Sequence, residues 1–314
     1  MNHNYHLQGY FFVVCAVMGY GSAGILGRMM YQYEPDPLTV AFLRAMAACL
    51  LLVFGFLCFQ RSLFRIKRSS LPLLVLYGFL GMFCTPLCFL SAIKYTTVST
   101  ATILFNSAPA VVVLLSAWLF RESLTRRTSA AVLLTLVGAA LVAQCYRPES
   151  LQFELTGILF GCGACVSMAL FTVCGKYVTH DYPSWTVVFY GGVAGAGFLG
   201  IFRTFQGPLT LHHPPAFWGW LLLQALLPAI LADACYLGSL RYLNAGTVSI
   251  LTSFQVVVAP LLAWLFLGET LTALQLLGAG LVLAGILVLR RPSSLKISAS
   301  STLDAPARKS ASIA

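Results

Sequence analysis

One acidic side chain stands alone deep in a long apolar run: Asp233, set among Leu-Leu-Leu-Gln-Ala-Leu-Leu-Pro-Ala-Ile-Leu-Ala on one side and Ala-Cys-Tyr-Leu-Gly on the other. A charge at the centre of a membrane helix costs about 2.5–3.5 kcal/mol on insertion scales, so this carboxylate must face protein or water, not lipid. Two chemistries suit it. It can take up and release a proton, or it can serve as counter-charge to the cationic group of a bound solute. The alternatives are a structural pair with a basic residue and a permanently protonated hydrogen-bond donor.

Two other apolar runs carry polar residues at helical spacing. Thr102 and Asn106, with Ser99, fall on one face of a predicted helix, and Ser249, Thr252, Ser253 and Gln255 fall at comparable depth in a later one. Such side chains either hold helices together or line a cavity. Asn106 and Gln255 are the better cavity candidates, because an amide both donates and accepts. Tyr20 and Ser22, and Ser167 and Thr172, are further candidates in two other apolar runs. Pro86, Pro109, Pro228 and Pro260 each free a backbone carbonyl and kink a helix. Kinks suit helices that must move around a cavity, although packing alone also accounts for them. Arg44 lies about two turns into its run and either reaches back to the surface or meets a polar group. Lys94 and Arg241, at the ends of two runs, are gate charges, anion attractors or headgroup anchors. Trp118 and Trp264, near run ends, read as interface anchors. Glu122 and Glu269, just past two runs, suit the positive N-terminal end of the following helix.

Membrane helices are the elements that must position these residues. The 314 residues are 59% hydrophobic and 9% charged, against about 25% charged in soluble domains. The mean hydropathy is +0.86, which leaves too few polar residues to cover a water-facing surface. Ten spans are read at 8–30, 37–59, 71–92, 97–120, 128–146, 153–175, 184–203, 216–238, 244–267 and 270–290. Each is close to the roughly 17–25 residues that cross the hydrocarbon core as a helix. The runs are solidly apolar, not alternating, which excludes a β-barrel. The net charge of +10 does not point to nucleic acid, because the basic residues sit in short loops. With a cytoplasmic N-terminus the inner side holds Arg61, Arg65, Lys67, Arg68, Arg121, Arg126, Arg127, Lys176 and Arg241, and the outer side only Arg28, Lys94, Arg147 and Arg203. That asymmetry predicts N-in, C-in. Residues 1–7 are then a cytoplasmic N-terminus, and the Ser-, Ala- and Lys/Arg-rich residues 291–314 a disordered basic cytoplasmic tail.

The chain also matches itself. Ala92-Ile-Lys-Tyr95 aligns with Ser239-Leu-Arg-Tyr242, an offset of 239 − 92 = 147 residues. At the same offset Thr100 meets Thr247, Glu122-Ser-Leu-Thr125 meets Glu269-Thr-Leu-Thr272, and Gly138 meets Gly285. Ala117-Trp-Leu-Phe120 meets Ala263-Trp-Leu-Phe266 with a one-residue adjustment. Two halves, 8–146 and 153–290, therefore carry five spans each. Five is odd, so the second half is predicted to lie upside down relative to the first, the device that lets a midplane site open to either side. Asp233 meets Pro86 and so stands outside the symmetric framework.

With its 5+5 repeat, its paired Trp-Leu-Phe…Glu-(Ser/Thr)-Leu-Thr segments, its Gly-rich fifth and tenth spans and Arg44 in the second, the chain resembles the ten-helix EamA-like branch of the drug/metabolite transporter superfamily over residues 8–290. The resemblance implies an inner (plasma) membrane secondary transporter, often an exporter of amino acids or other metabolites, with a central cavity between spans 1, 3, 4, 6, 8 and 9. It also implies a shared structural role for Arg44. The expected partners are a small-molecule solute, the lipid bilayer and protons, with no nucleic acid, in a monomer or homodimer. No metal and no cofactor is expected: Gly19-Tyr-Gly-Ser-Ala-Gly24 spells a nucleotide-loop pattern but has no preceding strand. Cys162-Gly-Ala-Cys165 lies within a span and reads as small buried hydrophobes. An intramembrane enzyme would need a second catalytic group beside Asp233, which no span offers. A non-transporting membrane scaffold is the remaining alternative.

Overall fold

A computed structural model describes residues 3–34, 36–59, 63, 65–96, 98–120, 124–145, 154–205, 212–268 and 272–290. Every regular element among them is helical. We number the rods in chain order: α1 is His3–Tyr31 and α2 is Pro37–Phe59. α3 runs through Leu71–Gly78, Phe79–Cys84 and Thr85–Tyr95, and α4 through Val98–Asn106 and Ala108–Leu119. α5 is Arg126–Val142, α6 is Leu155–Asp181 and α7 is Ser184–Thr204. α8 runs through Pro215–Gln224, Ala225–Ala232 and Asp233–Tyr242, α9 through Ala245–Thr252 and Gln255–Leu267, and α10 is Ala273–Arg290. Among the described residues eight helices are long and apolar enough to cross a membrane. The two rods beyond those eight are α5 and α10. α5 has 17 residues and opens on Arg-Arg-Thr-Ser, and the apolar part of α10 is Ala273–Val288, so each falls short by length. The outward faces of the long helices carry Phe11, Leu50, Phe54, Leu159 and Leu265, all exposed, as a lipid-facing surface requires. Trp118 and Trp264 are exposed as well.

The helix ends follow local chemistry. The Thr125 hydroxyl accepts from the Thr128 N–H at the start of α5. At α10 the Thr272 N–H donates to the Gln275 Oε1 at 2.9 Å and the Gln275 N–H returns to the Thr272 hydroxyl at 3.3 Å, a reciprocal capping box. These two threonines close the Glu-x-Leu-Thr segments of the two halves. Glu122 and Glu269, expected as caps, lie outside the described residues, as do 291–314. α9 ends on Gly268 at φ 66°, the left-handed turn that glycine adopts without strain.

The interruptions within rods come in matched pairs. α3 is wound as a π-helix over Phe79–Cys84 just before Pro86, and α8 over Ala225–Ala232 around Pro228. A proline lacks the N–H that would close an α turn, and a wider turn accommodates the loss. The Leu80 carbonyl in that loosened turn accepts from the Thr85 N–H, the Thr85 hydroxyl and the Ser167 hydroxyl of α6. α4 breaks at Ser107, ahead of Pro109, and α9 breaks at Ser253–Phe254.

Packing crosses between the halves. α1 packs on α8 and α9, and α6 on α3 and α4; α2 packs on α7 and α8, and α7 on α3. α5 and α10 lie along each other with backbones in near contact: a Cβ on Gly138 would stand 2.6 Å from the Gly278 carbonyl oxygen. Small residues permit this approach where lipid offers no hydrophobic drive to association. The main core gathers Tyr77, Tyr236, Leu237 and Leu240 beside residues of α1, α6 and α7.

Candidate functional site

Where α3 and α8 loosen, the helices enclose a cavity of about 280 Å³. Its wall takes Tyr20 and Ala23 from α1, Arg44 from α2, Gly81, Met82, Thr85, Pro86 and Phe89 from α3, Phe105 from α4, Met168 and Phe171 from α6, Pro228, Ala229, Asp233 and Tyr236 from α8, and Thr252 and Gln255 from α9. The wall repeats at the offset of 147: Gly81 matches Pro228, Met82 matches Ala229, Pro86 matches Asp233 and Phe105 matches Thr252.

Asp233 is 5% exposed and opens the last segment of α8, immediately after the π turn. The Tyr20 hydroxyl donates to its Oδ1 at 2.5 Å, the one hydrogen bond its side chain receives from a described residue. Aromatic rings frame this pair. Tyr20 meets Tyr236 edge-on at 6.1 Å, Tyr236 lies parallel to Phe171 at 6.2 Å, and Phe171 stacks on Tyr77 at 4.4 Å. The Tyr236 hydroxyl is held by Thr172 at 2.6 Å, which fixes the ring that faces the cavity. Phe89 and Phe105 form a second aromatic wall, 5.3 Å apart.

Arg44 is the other charge. It is half-buried on the wall it shares with Asp233, and its buried Nε has no hydrogen-bond partner among the described residues. Gln255 begins the second segment of α9, and Thr252 turns its hydroxyl back to the Val248 carbonyl at 2.7 Å.

The structure therefore gathers Asp233, Tyr20, Arg44, Thr252 and Gln255 at one cavity and leaves other candidates elsewhere. Asn106 is buried and donates to the Thr102 carbonyl of its own helix at 2.9 Å; neither residue lines the cavity, and Phe105 does. Ser22 donates within α1 to the Gly19 carbonyl at 2.7 Å and is not on the wall. Arg241 sits at the far end of α8, where its Nε donates to the Thr179 carbonyl at 3.0 Å and a terminal nitrogen donates to the Tyr182 carbonyl. The side chain of Lys94 lies outside the described residues. Met168, Phe171 and Tyr236 went unread in the sequence, where an aromatic in a membrane helix carries no mark of which way it faces.

Arg241 has a positioning task that can be measured. Its guanidinium satisfies carbonyls at the C-terminal end of α6, where the helix dipole favours a cation. Tyr182, at that corner, accepts from the Lys67 N–H at 3.1 Å and donates to Ser70 at 3.0 Å, tying the α6–α7 corner to the start of α3. Arg241→Ala removes two charge-assisted bonds to the backbone. We expect a loss of about 1.5–3 kcal/mol, read as a lower thermal midpoint in detergent, with solute affinity at the cavity unchanged. An unchanged midpoint would assign Arg241 to the membrane surface.

Comparison with known proteins places this arrangement. The family model described as the EamA-like transporter family matches residues 7–144 and again 155–291. An uncharacterized transporter of Archaeoglobus fulgidus is 31% identical over 256 residues, covering 81% of this chain and 86% of its own. The pseudopaline exporter CntI of Pseudomonas aeruginosa is 25% identical over 259 residues, covering 80% and 85%. A solved crystal structure superposes with a TM-score of 0.79 at 16% identity over 92% of this chain and 97% of its own, a likeness of fold.

Proposed function

Because this chain belongs to the EamA-like transporter family, we propose that it is a secondary transporter that exports a small organic metabolite, such as an amino acid or a related solute, through the cavity around Asp233. It is a multi-pass membrane protein. α5 and α10 join the eight longer helices as a fifth and a tenth span, paired with each other at the edge of two inverted five-helix repeats with both termini in the cytoplasm. The cavity opens alternately to the two sides of the plasma membrane as the halves exchange conformations.

The single observation that carries this reading is the wall of the cavity. Its α3 and α8 faces are built from positions that correspond between the halves, on helices whose π turns also correspond. A π turn is a frequent mark of a functional site, and two at matched depth give each half a place to bend. Asp233, hydrogen-bonded to Tyr20, is the group that couples the cycle to protons. Export is favoured by the likeness to one relative, the pseudopaline exporter of Pseudomonas aeruginosa.

The test is solute counterflow in liposomes. Full-length protein is reconstituted, loaded with each of a panel of amino acids and related metabolites, and assayed for exchange of the labelled solute. Saturable exchange of at least one solute, absent from empty liposomes, is expected. A protein that exchanges and binds none of them is a scaffold.

A further inference from the structure

Both charges on the cavity wall depart from the internal repeat. Asp233 corresponds to Pro86 (233 − 86 = 147) and Arg44 corresponds to Gly191 (191 − 44 = 147). The α3 and α8 parts of the wall are matched between the halves, and neither charge recurs at the matching position. Packing does not call for them either. The buried Nε of Arg44 has no hydrogen-bond partner among the described residues, an arrangement that is unfavourable unless something completes it. A guanidinium is permanently charged and presents its donors as a planar fork that fits a carboxylate. Asp233 does not complete it: its carboxylate accepts from Tyr20, and the Arg44 Nε is without a partner among the described residues.

We propose that Arg44 is the oxyanion subsite of this cavity, and that the solute is a zwitterion whose carboxylate lies on Arg44 and whose ammonium group lies on Asp233. The inference rests on the transport reading above and deepens it. Among the described lining residues Arg44 is the one cation and Asp233 the one carboxylate. A solute with a single charge would meet only one of these two groups, whereas a zwitterion meets both. A phosphorylated solute would bring more negative charge than one guanidinium balances. The same wall carries the aromatic side chains Tyr236, Phe171, Phe89 and Phe105, able to cover a hydrophobic body. The volume of about 280 Å³ lies just below the range of about 300–1,000 Å³ for drug-sized pockets, which suits a compact solute.

The experiment measures binding to purified full-length protein by thermal shift and calorimetry. The probes are the common amino acids and dipeptides, and, for each zwitterion that binds, its decarboxylated amine, its methyl ester and its N-acetyl derivative. In the wild type, loss of either charge of the solute is expected to weaken binding by about 30-fold or more. Arg44→Gln is expected to equalise the zwitterion and its amine while keeping discrimination against the N-acetyl form, and Asp233→Asn the reverse. These ratios are taken within one protein, so they do not depend on yield, and Arg44→Lys should restore part of the carboxylate preference. Amines or esters that bind as well as the parent zwitterion overturn the proposal, as does Arg44→Gln with undiminished discrimination, or a wild type that binds no zwitterion at millimolar concentration. Zwitterion binding without flux in liposomes would sink the transport reading and leave this subsite standing. Flux of a plain amine or a neutral solute would do the opposite.

Discussion

Asp233→Asn is expected to lower solute exchange in liposomes by about 30-fold or more while the protein still folds and purifies in normal yield. The substitution keeps the shape of the side chain, and the Tyr20 hydroxyl can still donate to the remaining oxygen, so the contact between α1 and α8 survives. What is lost is the negative charge and the ability to bind and release a proton. If the carboxylate couples transport, solute added to detergent-purified wild-type protein releases protons into a weakly buffered solution, and the variant releases none. Binding by both proteins without release would remove the proton step and describe an exchanger. A variant that transports normally would remove Asp233 from the mechanism altogether. Tyr20→Phe separates the two parts of the pair: it removes the donor and leaves the charge. Exchange should fall less than in Asp233→Asn.

Gly78→Ala is expected to destabilise the protein by about 1–3 kcal/mol, the cost of overpacking a close-packed interior. Gly78 ends the first segment of α3, where that helix meets α7 backbone to backbone. A Cβ there would stand 2.2 Å from the Gly191 carbonyl oxygen and 2.9 Å from the Ala194 Cβ. A backbone carbonyl in the middle of a helix has no rotamer to move into, so the helices must separate. Gly191 is closed in the same way, with a Cβ falling 2.5 Å from the Tyr77 ring, and that ring stacks on Phe171 of the cavity wall. A strain at Gly78 therefore reaches the site, and weaker binding should accompany the lower thermal midpoint. Gly55→Ala is the control. A Cβ at Gly55, in α2, meets nothing within 4 Å, so that variant should match the wild type or exceed it through the better helix propensity of alanine, worth roughly 0.5–1 kcal/mol. Equal stability of the two variants would show that α3 and α7 do not approach this closely.

Membrane helices were legible in the sequence because lipid leaves a backbone no partner but itself, so apolar runs of the right length have one regular structure open to them. The same physics exposed Asp233: a lone carboxylate in such a run has to be accommodated somewhere. The internal match at an offset of 147 residues was legible as identity of residues, without any reference to shape. The length of each rod was less so. α5 and α10 read as spans, but the Arg126–Ser129 start and the short apolar part of α10 leave the described helices below the length of the other eight.

Only the tertiary structure decided which polar residues share a site. Asn106 and Phe105 are neighbours in sequence, about 100° apart around a helix, and the break at Ser107 disturbs the phase that would say which of them faces inward. The amide satisfies itself on the Thr102 carbonyl and the ring meets the cavity. Arg44 was ambiguous for a different reason. A long flexible side chain two turns from a helix end reaches either the surface or the interior, and the choice depends on what α3 and α8 place beside it. Arg241 and Lys94 correspond in the repeat, yet the task of Arg241 is set by the carbonyls at the end of α6, which come from a distant part of the chain. Local sequence determined the helices, their caps and their kinks, because those depend on neighbours a few residues away. The site required the crossing of the two halves, which brings α1 to α8 and α3 to α6, and no local pattern records that encounter.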